Sequence, residues 1–131
     1  MGEKALVEGL FEDSVELVRK LDASSAAPSL AAWYFYEDAD QWRLLIAGPV
    51  FDQLLPKKEP IAYQKISEAI FAAGLQSLSI SMVKLIQSAD PLSKALGFLV
   101  RTPQDGIIKA NFSNTVLNGI FIREMIILRS A

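Results

Sequence analysis

Residues 31–47 have the sequence AAWYFYEDADQWRLLIA, which is typical of a β-hairpin. An aromatic run at residues 33–36 and a largely apolar run at residues 42–46 flank five mostly polar residues, a length that hairpin loops commonly have. Because successive strand residues point to opposite faces, each predicted arm has one strongly apolar face and one mixed face. This pattern predicts a sheet that packs against helices on one side.

Three further segments have helical patterns. Residues 3–21 place apolar side chains on one stripe, and residues 60–74 begin with a proline suited to the first turn and end with a glycine suited to a left-handed cap. Asp90 and Pro91 form an N-cap and first-turn pair ahead of a helix of about two turns. The sequence therefore predicts two main helices and one short helix.

Strand patterns occur in four more segments, namely residues 78–86, 98–102, 107–112 and 120–129. Asn118 and Gly119 directly precede the last of these and form a strong tight-turn signal. Together the elements give the order α-β-β-α-β-α-β-β-β. We expect an α+β fold with a mostly antiparallel sheet of five to six strands.

The length of 131 residues suits a single domain over residues 1–131. The chain has neither cysteine nor histidine, which excludes disulfides, Cys/His zinc sites and imidazole catalysis. Thirteen basic and fifteen acidic residues give a net charge of −2, and this balance argues against a nucleic-acid partner. Because no signal-peptide core and no membrane-spanning apolar stretch is apparent, we expect a soluble cytoplasmic protein.

Five residues are candidates for binding: Trp33, Tyr34, Tyr36, Arg43 and Glu124. The aromatic side chains could stack on a flat ligand, although packing within a sheet explains such clusters more often. Glu124 lies in the middle of an apolar strand, where a charge needs a partner, and we expect it to form a structural ion pair with Arg43, Lys84 or Arg101. No catalytic residue, metal site or cofactor is predicted.

The order of helix, hairpin and helix resembles the core of restriction-endonuclease-like nucleases. Those enzymes use an acidic residue at one strand end and a Glu/Asp-x-Lys motif on the next strand to bind a divalent metal. In this chain Asp40-Gln-Trp-Arg43 opens the second arm, so the spacing differs and arginine replaces lysine. The acidic loop residues Glu37, Asp38 and Asp40 could hold Mg²⁺, but turns commonly contain Asp for other reasons. A metal-dependent nuclease or hydrolase is therefore an alternative function.

The sequence favours a function by association over catalysis. The last strand is apolar on both faces, whereas the third predicted helix is too short to cover the second face of the sheet. An uncovered apolar face of that size is usually an interface, so we expect a homo-oligomer, most simply a dimer, or a contact with another protein. A binder of a small hydrophobic ligand is the remaining alternative, and it requires an enclosed apolar pocket.

Overall fold

The computed structural model describes Leu6 and residues 8–131. The beginning of the first predicted helix, at residues 3–5 and 7, lies outside the described residues. The described elements are the helices α1 (Glu8–Ala23), α2 (Pro49–Leu54), α3 (Glu59–Ala73) and α4 (Pro91–Leu99), and the strands β1 (Leu30–Tyr36), β2 (Gln41–Ala47), β3 (Val83–Leu85), β4 (Ala110–Leu117) and β5 (Ile120–Ser130). A single turn of 3₁₀-helix at Ile80–Met82 precedes β3.

The strands form one five-stranded sheet in the order β3-β2-β1-β5-β4. β1 pairs antiparallel with β2 and with β5, and β4 pairs antiparallel with β5, but β3 is parallel to β2. The α+β class is therefore confirmed, while the sheet is mixed and not mostly antiparallel as the sequence predicted. The parallel pair arises because the chain crosses over through α2 and α3 between β2 and β3, and such a crossover returns the chain in the same direction.

Four segments differ from the sequence-based prediction. The strand predicted at residues 107–112 is displaced, since β4 begins at Ala110 and continues to Leu117. Residues 78–86 form a strand only at Val83–Leu85, because the 3₁₀ turn occupies the residues just before it. Residues 98–102 do not form a strand, since α4 continues past Gly97 to Leu99. Residues 50–60, whose lack of a sustained period predicts a surface loop, instead contain most of the six-residue helix α2, which buries Phe51. The described order is thus α-β-β-α-α-β-α-β-β, with four helices.

Several local signals are confirmed. The hairpin forms as β1 and β2, in register from Leu30 and Ala47 to the loop. Gly74 ends α3 in the left-handed conformation with a φ of 64°. Asn118 and Gly119 form the β4–β5 turn with φ values of 51° and 80°, which is the backbone that a tight two-residue hairpin turn requires.

The sheet has two differently covered faces. The first, which we call the helix face, includes Ala31, Trp33, Leu44 and Ile46 and packs against α1 and α3 in one core cluster. The second, which we call the α4 face, includes Leu30, Ala32, Leu45 and Ala47 and packs against Leu96 of α4. α4 lies over the end of this face near Leu30 and Ala47, where its residues line a cavity together with these two.

The outer edge of β3 is closed by a side chain of α3. The backbone N–H of Leu85 donates a hydrogen bond to the hydroxyl oxygen of Tyr63, at a distance of 2.9 Å. Tyr63 belongs to the apolar stripe of α3 and packs against the core of the helix face. Its hydroxyl therefore satisfies a backbone donor that an edge strand otherwise exposes.

Candidate functional site

Trp33 lies in the core and away from the surface. Its side chain is fully buried on the helix face. The indole Nε1–H donates to the hydroxyl oxygen of Ser14 at 3.0 Å, and that hydroxyl donates to the carbonyl oxygen of Phe11 at 2.6 Å. Both polar groups are thus satisfied within the protein, and the interaction joins β1 to α1.

Tyr34, Tyr36 and Arg43 come together on the α4 face, at the end that α4 does not cover. Tyr34 and Arg43 are cross-strand partners in β1 and β2. The ring centroids of Tyr34 and Tyr36 are 4.8 Å apart, and Nζ of Lys84 lies 5.2 Å from the centroid of Tyr36. Lys84 is brought here by β3, where it is the register partner of Leu45. We call this region, together with the adjoining Val116 and Phe121, the aromatic end of the sheet.

The tips of the two hairpins separate at the aromatic end. The register between β1 and β5 ends at Tyr34 and Met125, although β5 continues to pair with β4 as far as Ile120. A cavity of about 230 Å³ lies between the tips, lined by Tyr34, Phe35, Tyr36, Glu37, Asp38, Phe121 and Arg123. The hydroxyl of Tyr34 donates to the carbonyl oxygen of Phe121 across this gap, at 3.5 Å.

Large apolar side chains project into solvent beside this cavity. Phe121 is 51% exposed, and Val116, its cross-strand partner, is 68% exposed. Tyr34 and Tyr36 are half-buried. No helix in the described part of the chain contributes a residue to this cavity. The apolar side chains at the aromatic end are therefore partly exposed to solvent.

Charges of both signs surround the apolar side chains. Nη1 of Arg43 donates to the carbonyl oxygen of Ser81 at 3.2 Å. Arg123 donates from Nη1 to Oδ1 of Asn114 at 3.0 Å, and its Nε lies 3.8 Å from Oε2 of Glu37. Exposed ion pairs of this kind add little to folding stability. The border of the aromatic end therefore has a basic side, formed by Arg43 and Lys84, and an acidic side, formed by the hairpin loop.

Burial raises the pKa of the Tyr34 hydroxyl, and the charge that Tyr36 acquires on ionisation raises it further. Tyr34 is therefore neutral at physiological pH and acts as a hydrogen-bond donor. Its present acceptor is a backbone carbonyl at the long limit of hydrogen bonding.

Glu124 lies apart from these residues. It lies on β5, where its register partner on β4 is Ser113. Its Oε1 accepts a hydrogen bond from the hydroxyl of Ser113 at 3.0 Å, whereas its buried Oε2 has no partner. It makes no ion pair within Leu6 and residues 8–131. The predicted ion pair is wrong, because Glu124 accepts from Ser113, while Arg43 donates to the carbonyl oxygen of Ser81 and Lys84 lies beside the ring of Tyr36.

A buried ion pair that the sequence did not reveal joins Arg129 to Asp22. Arg129 is fully buried, and its Nη1 and Nη2 donate to the two carboxylate oxygens of Asp22 at 2.8 and 2.9 Å. It also donates to the carbonyl oxygens of Gly106 and Pro28 at 2.9 and 3.1 Å. With its donors used in this way, Arg129 fastens β5 to the end of α1 and to two loops. The available signal was a charged residue that directly follows the apolar run at residues 125–128.

Among the described residues, no group of three or more acidic side chains is arranged to hold a metal ion. The same residues include no helix with the length and apolar composition to cross a membrane. Comparison with protein-family models, curated proteins and solved structures finds no match for this chain. Its function is therefore inferred from its own geometry.

Proposed function

We propose that the protein functions by self-association and forms a homodimer through the aromatic end of the sheet. The observation that carries this proposal is the exposure of Phe121 and Val116 beside the half-buried Tyr34 and Tyr36. Contiguous apolar side chains at the surface of a soluble protein are typical of interaction sites. Aromatic residues, and tyrosine in particular, are enriched in protein interfaces because they combine apolar area with a polar tip.

A second copy of the chain is the partner that the charges favour. In a two-fold symmetric contact the same patch meets itself, so a border of one sign would repel its copy. The border of the aromatic end has Arg43 and Lys84 on one side and Glu37 and Asp38 in the hairpin loop. A border with both signs can place cations opposite anions when the patch is rotated onto itself.

The neighbouring edge strand adds a second kind of contact. β4 is the outer strand on this side of the sheet, and its sequence ANFSNTVL contains neither a charged residue nor proline. Edge strands that avoid pairing usually contain such residues. Asn114 interrupts β4 with a φ of 49°, so regular pairing with an added strand is limited to the residues on either side. The side chains of the aromatic end are therefore the main contact.

Sedimentation velocity across the micromolar range tests the proposal. We expect the unmutated chain to be a dimer and Phe121→Asp to be a folded monomer, because a carboxylate would have to be desolvated in the contact. The matched control is Phe71→Asp, since Phe71 is 88% exposed but lies on α3. Circular dichroism of both variants reports whether they are folded.

Two results would overturn the proposal. The first is a monomer for the unmutated chain throughout the concentration range. The second is dissociation by Phe71→Asp but not by Phe121→Asp, which would place the contact on α3. A monomer whose melting temperature rises with Mg²⁺ or Mn²⁺ would instead favour the metal-dependent nuclease.

A further inference from the structure

We propose that a second site, between α4 and the adjoining strand ends, binds a small organic phosphate. The site is a cavity of about 370 Å³, lined by Ser29, Leu30, Ala47, Ser88, Ser93, Lys94, Gly97, Phe98, Arg101, Ser130 and Ala131. It lies at the opposite end of the α4 face from the aromatic end, and it shares no lining residue with the cavity there. The two cavities are therefore separate, and a ligand in one does not require self-association through the other.

Two cations without an acidic partner border the cavity. Lys94 projects from α4, and Arg101 lies two residues after its end. Neither makes an ion pair with the part of the chain that the structure describes. Nη1 of Arg101 lies 3.5 Å from the position that a Cβ atom at Gly97 would occupy, so the guanidinium lies along the flank of the helix. Two unpaired cations at one cavity of an acidic protein attract an anion.

Serine hydroxyls provide further donors. Four serines line the cavity, and two of them, Ser29 and Ser93, donate to the backbone carbonyl oxygens of Ala47 and Gln87. The hydroxyls of Ser88 and Ser130 make no hydrogen bond to any described residue, so both can donate to a ligand. A phosphate monoester has three terminal oxygens that accept from several directions, which matches two cations and two hydroxyls better than a planar carboxylate does.

The cavity also has an apolar wall. Leu30 and Ala47 are buried in the sheet beneath it, and Phe98 at its border is 77% exposed. Its volume falls within the range of roughly 300 to 1,000 Å³ that is usual for small-molecule sites, and it is much larger than an inorganic phosphate requires. The ligand is therefore a phosphate attached to a flat or apolar group that packs against Phe98.

The backbone around the cavity is fixed by hydrogen bonds. The N–H of Thr102 donates to the carbonyl oxygen of Ser130 at 2.7 Å, and the N–H of Ser130 donates to Oγ1 of Thr102 at 3.2 Å. On the other side, the N–H of Ala131 donates to the carbonyl oxygen of Ser29 at 2.8 Å. The strand ends that form this side of the cavity are therefore ordered before a ligand binds.

The test uses phenyl phosphate as the probe, added to the ¹⁵N-labelled full chain at a pH near 8, where the phosphate is largely a dianion. We expect saturable shifts of the amide resonances of Ser88, Gly97 and Ser130. Lys94→Gln and Arg101→Gln should each raise the dissociation constant by about tenfold, since each removes one charge-assisted contact. Lys57→Gln and Lys58→Gln are the matched controls, because these exposed lysines lie outside the cavity, and we expect them to have no effect.

A blocking variant separates binding from folding. Gly97→Leu places a side chain in the cavity and should abolish the shifts, while thermal stability should not fall because leucine favours a helix more than glycine does. Absence of saturable shifts in the unmutated chain would overturn the proposal. Equal weakening by the Lys57 and Lys58 controls would show nonspecific attraction and would overturn it as well. Benzoate that binds as tightly as phenyl phosphate would contradict the phosphate assignment, and equal binding of inorganic phosphate would contradict the organic group.

Discussion

Trp33 and Tyr34 are neighbours on β1 and point to opposite faces of the sheet, but their surroundings differ. Trp33 is fully buried under α1, and its N–H is bonded to Ser14. Tyr34 is half-buried, and its hydroxyl reaches only a backbone carbonyl beside solvent. β1 is aromatic on both faces, so its own composition does not set the difference. The helices that the chain supplies to each face decide which aromatic residues become core and which remain at the surface.

Polar contacts also differ between the helix face and the aromatic end. On the helix side, the Asp13 carboxylate in α1 accepts hydrogen bonds from the backbone N–H groups of Ser77 and Leu78 at 2.8 and 3.0 Å. At the aromatic end, Arg123 and Glu37 form an exposed pair at 3.8 Å. We therefore expect substitutions on the helix face to lower the free energy of unfolding and substitutions at the aromatic end to change association.

The largest expected effect is that of Trp33→Ala. Removing the largest side chain of the core should lower the free energy of unfolding by about 3 to 5 kcal/mol, measured by urea denaturation. The paired variant Tyr34→Ala, on the other face, should cost less than half as much. Similar losses for the two variants would mean that the two faces are equally important for folding.

Asp22→Ala should have the next largest effect. It leaves Arg129 buried without its anion, which should lower the free energy of unfolding by about 3 kcal/mol. This value is at the low end for buried pairs because the Asp22 side chain is 28% exposed. The control is Asp105→Ala, an exposed carboxylate in a loop, which should change stability by less than about 0.5 kcal/mol. The double variant Asp22→Ala/Arg129→Met should lose less than the sum of the two single losses. Strict additivity in this cycle would contradict a direct interaction.

Ser14→Ala should have a smaller effect on the same face. It leaves the buried Nε1–H of Trp33 without an acceptor, which should cost about 1 to 3 kcal/mol in urea denaturation. Ser14→Ala combined with Trp33→Phe should lose less than the sum of the two single losses, because the unpaired donor is then absent. A loss below about 0.5 kcal/mol for Ser14→Ala, the scale of a surface change, would show that the hydrogen bond does not contribute.

The smallest expected effect concerns the titration of Tyr34. Because its pKa in the folded protein is raised above 10.0, the unfolded chain loses the phenolic proton first as the pH rises. The associated stability is fully present below a pH of about 10 and is lost as the pH rises through the folded pKa. Tyr34→Phe should remove this dependence, together with the highest step in an ultraviolet titration of phenolate. An unchanged titration curve in Tyr34→Phe would assign that step to another tyrosine.

Local chemistry made much of the fold predictable. The turn at Asn118 and Gly119, the cap at Gly74 and the N-cap at Asp90 each depend on a few adjacent residues. The prediction failed where distant segments decide the structure. β3 is a three-residue strand whose direction follows from the crossover, and residues 98–99 remain helical although their apolar side chains suit a strand equally well. Neither feature has a local signal.

For the candidate site too, local features were predictable from the sequence and long-range contacts were not. Alternation along β1 placed Tyr34 and Tyr36 on one face and Trp33 on the other, and the structure agrees. The position of Lys84 beside Tyr36 depends on the parallel pairing of β3, which the sequence did not indicate. Asp22 and Arg129 are 107 residues apart in the sequence, so no spacing rule connects them. Long-range polar partners of this kind require the structure.

The hydrogen bond between Tyr63 and Leu85 makes the two edges of the sheet different. Because the Tyr63 hydroxyl already accepts from the N–H of Leu85, a strand added at the outer edge of β3 would have to displace it. At the other edge, regular pairing of an added strand with β4 is limited to the residues on either side of Asn114. An open-ended fibre built by strand addition needs both edges of the sheet, and Tyr63 disfavours addition at the β3 edge.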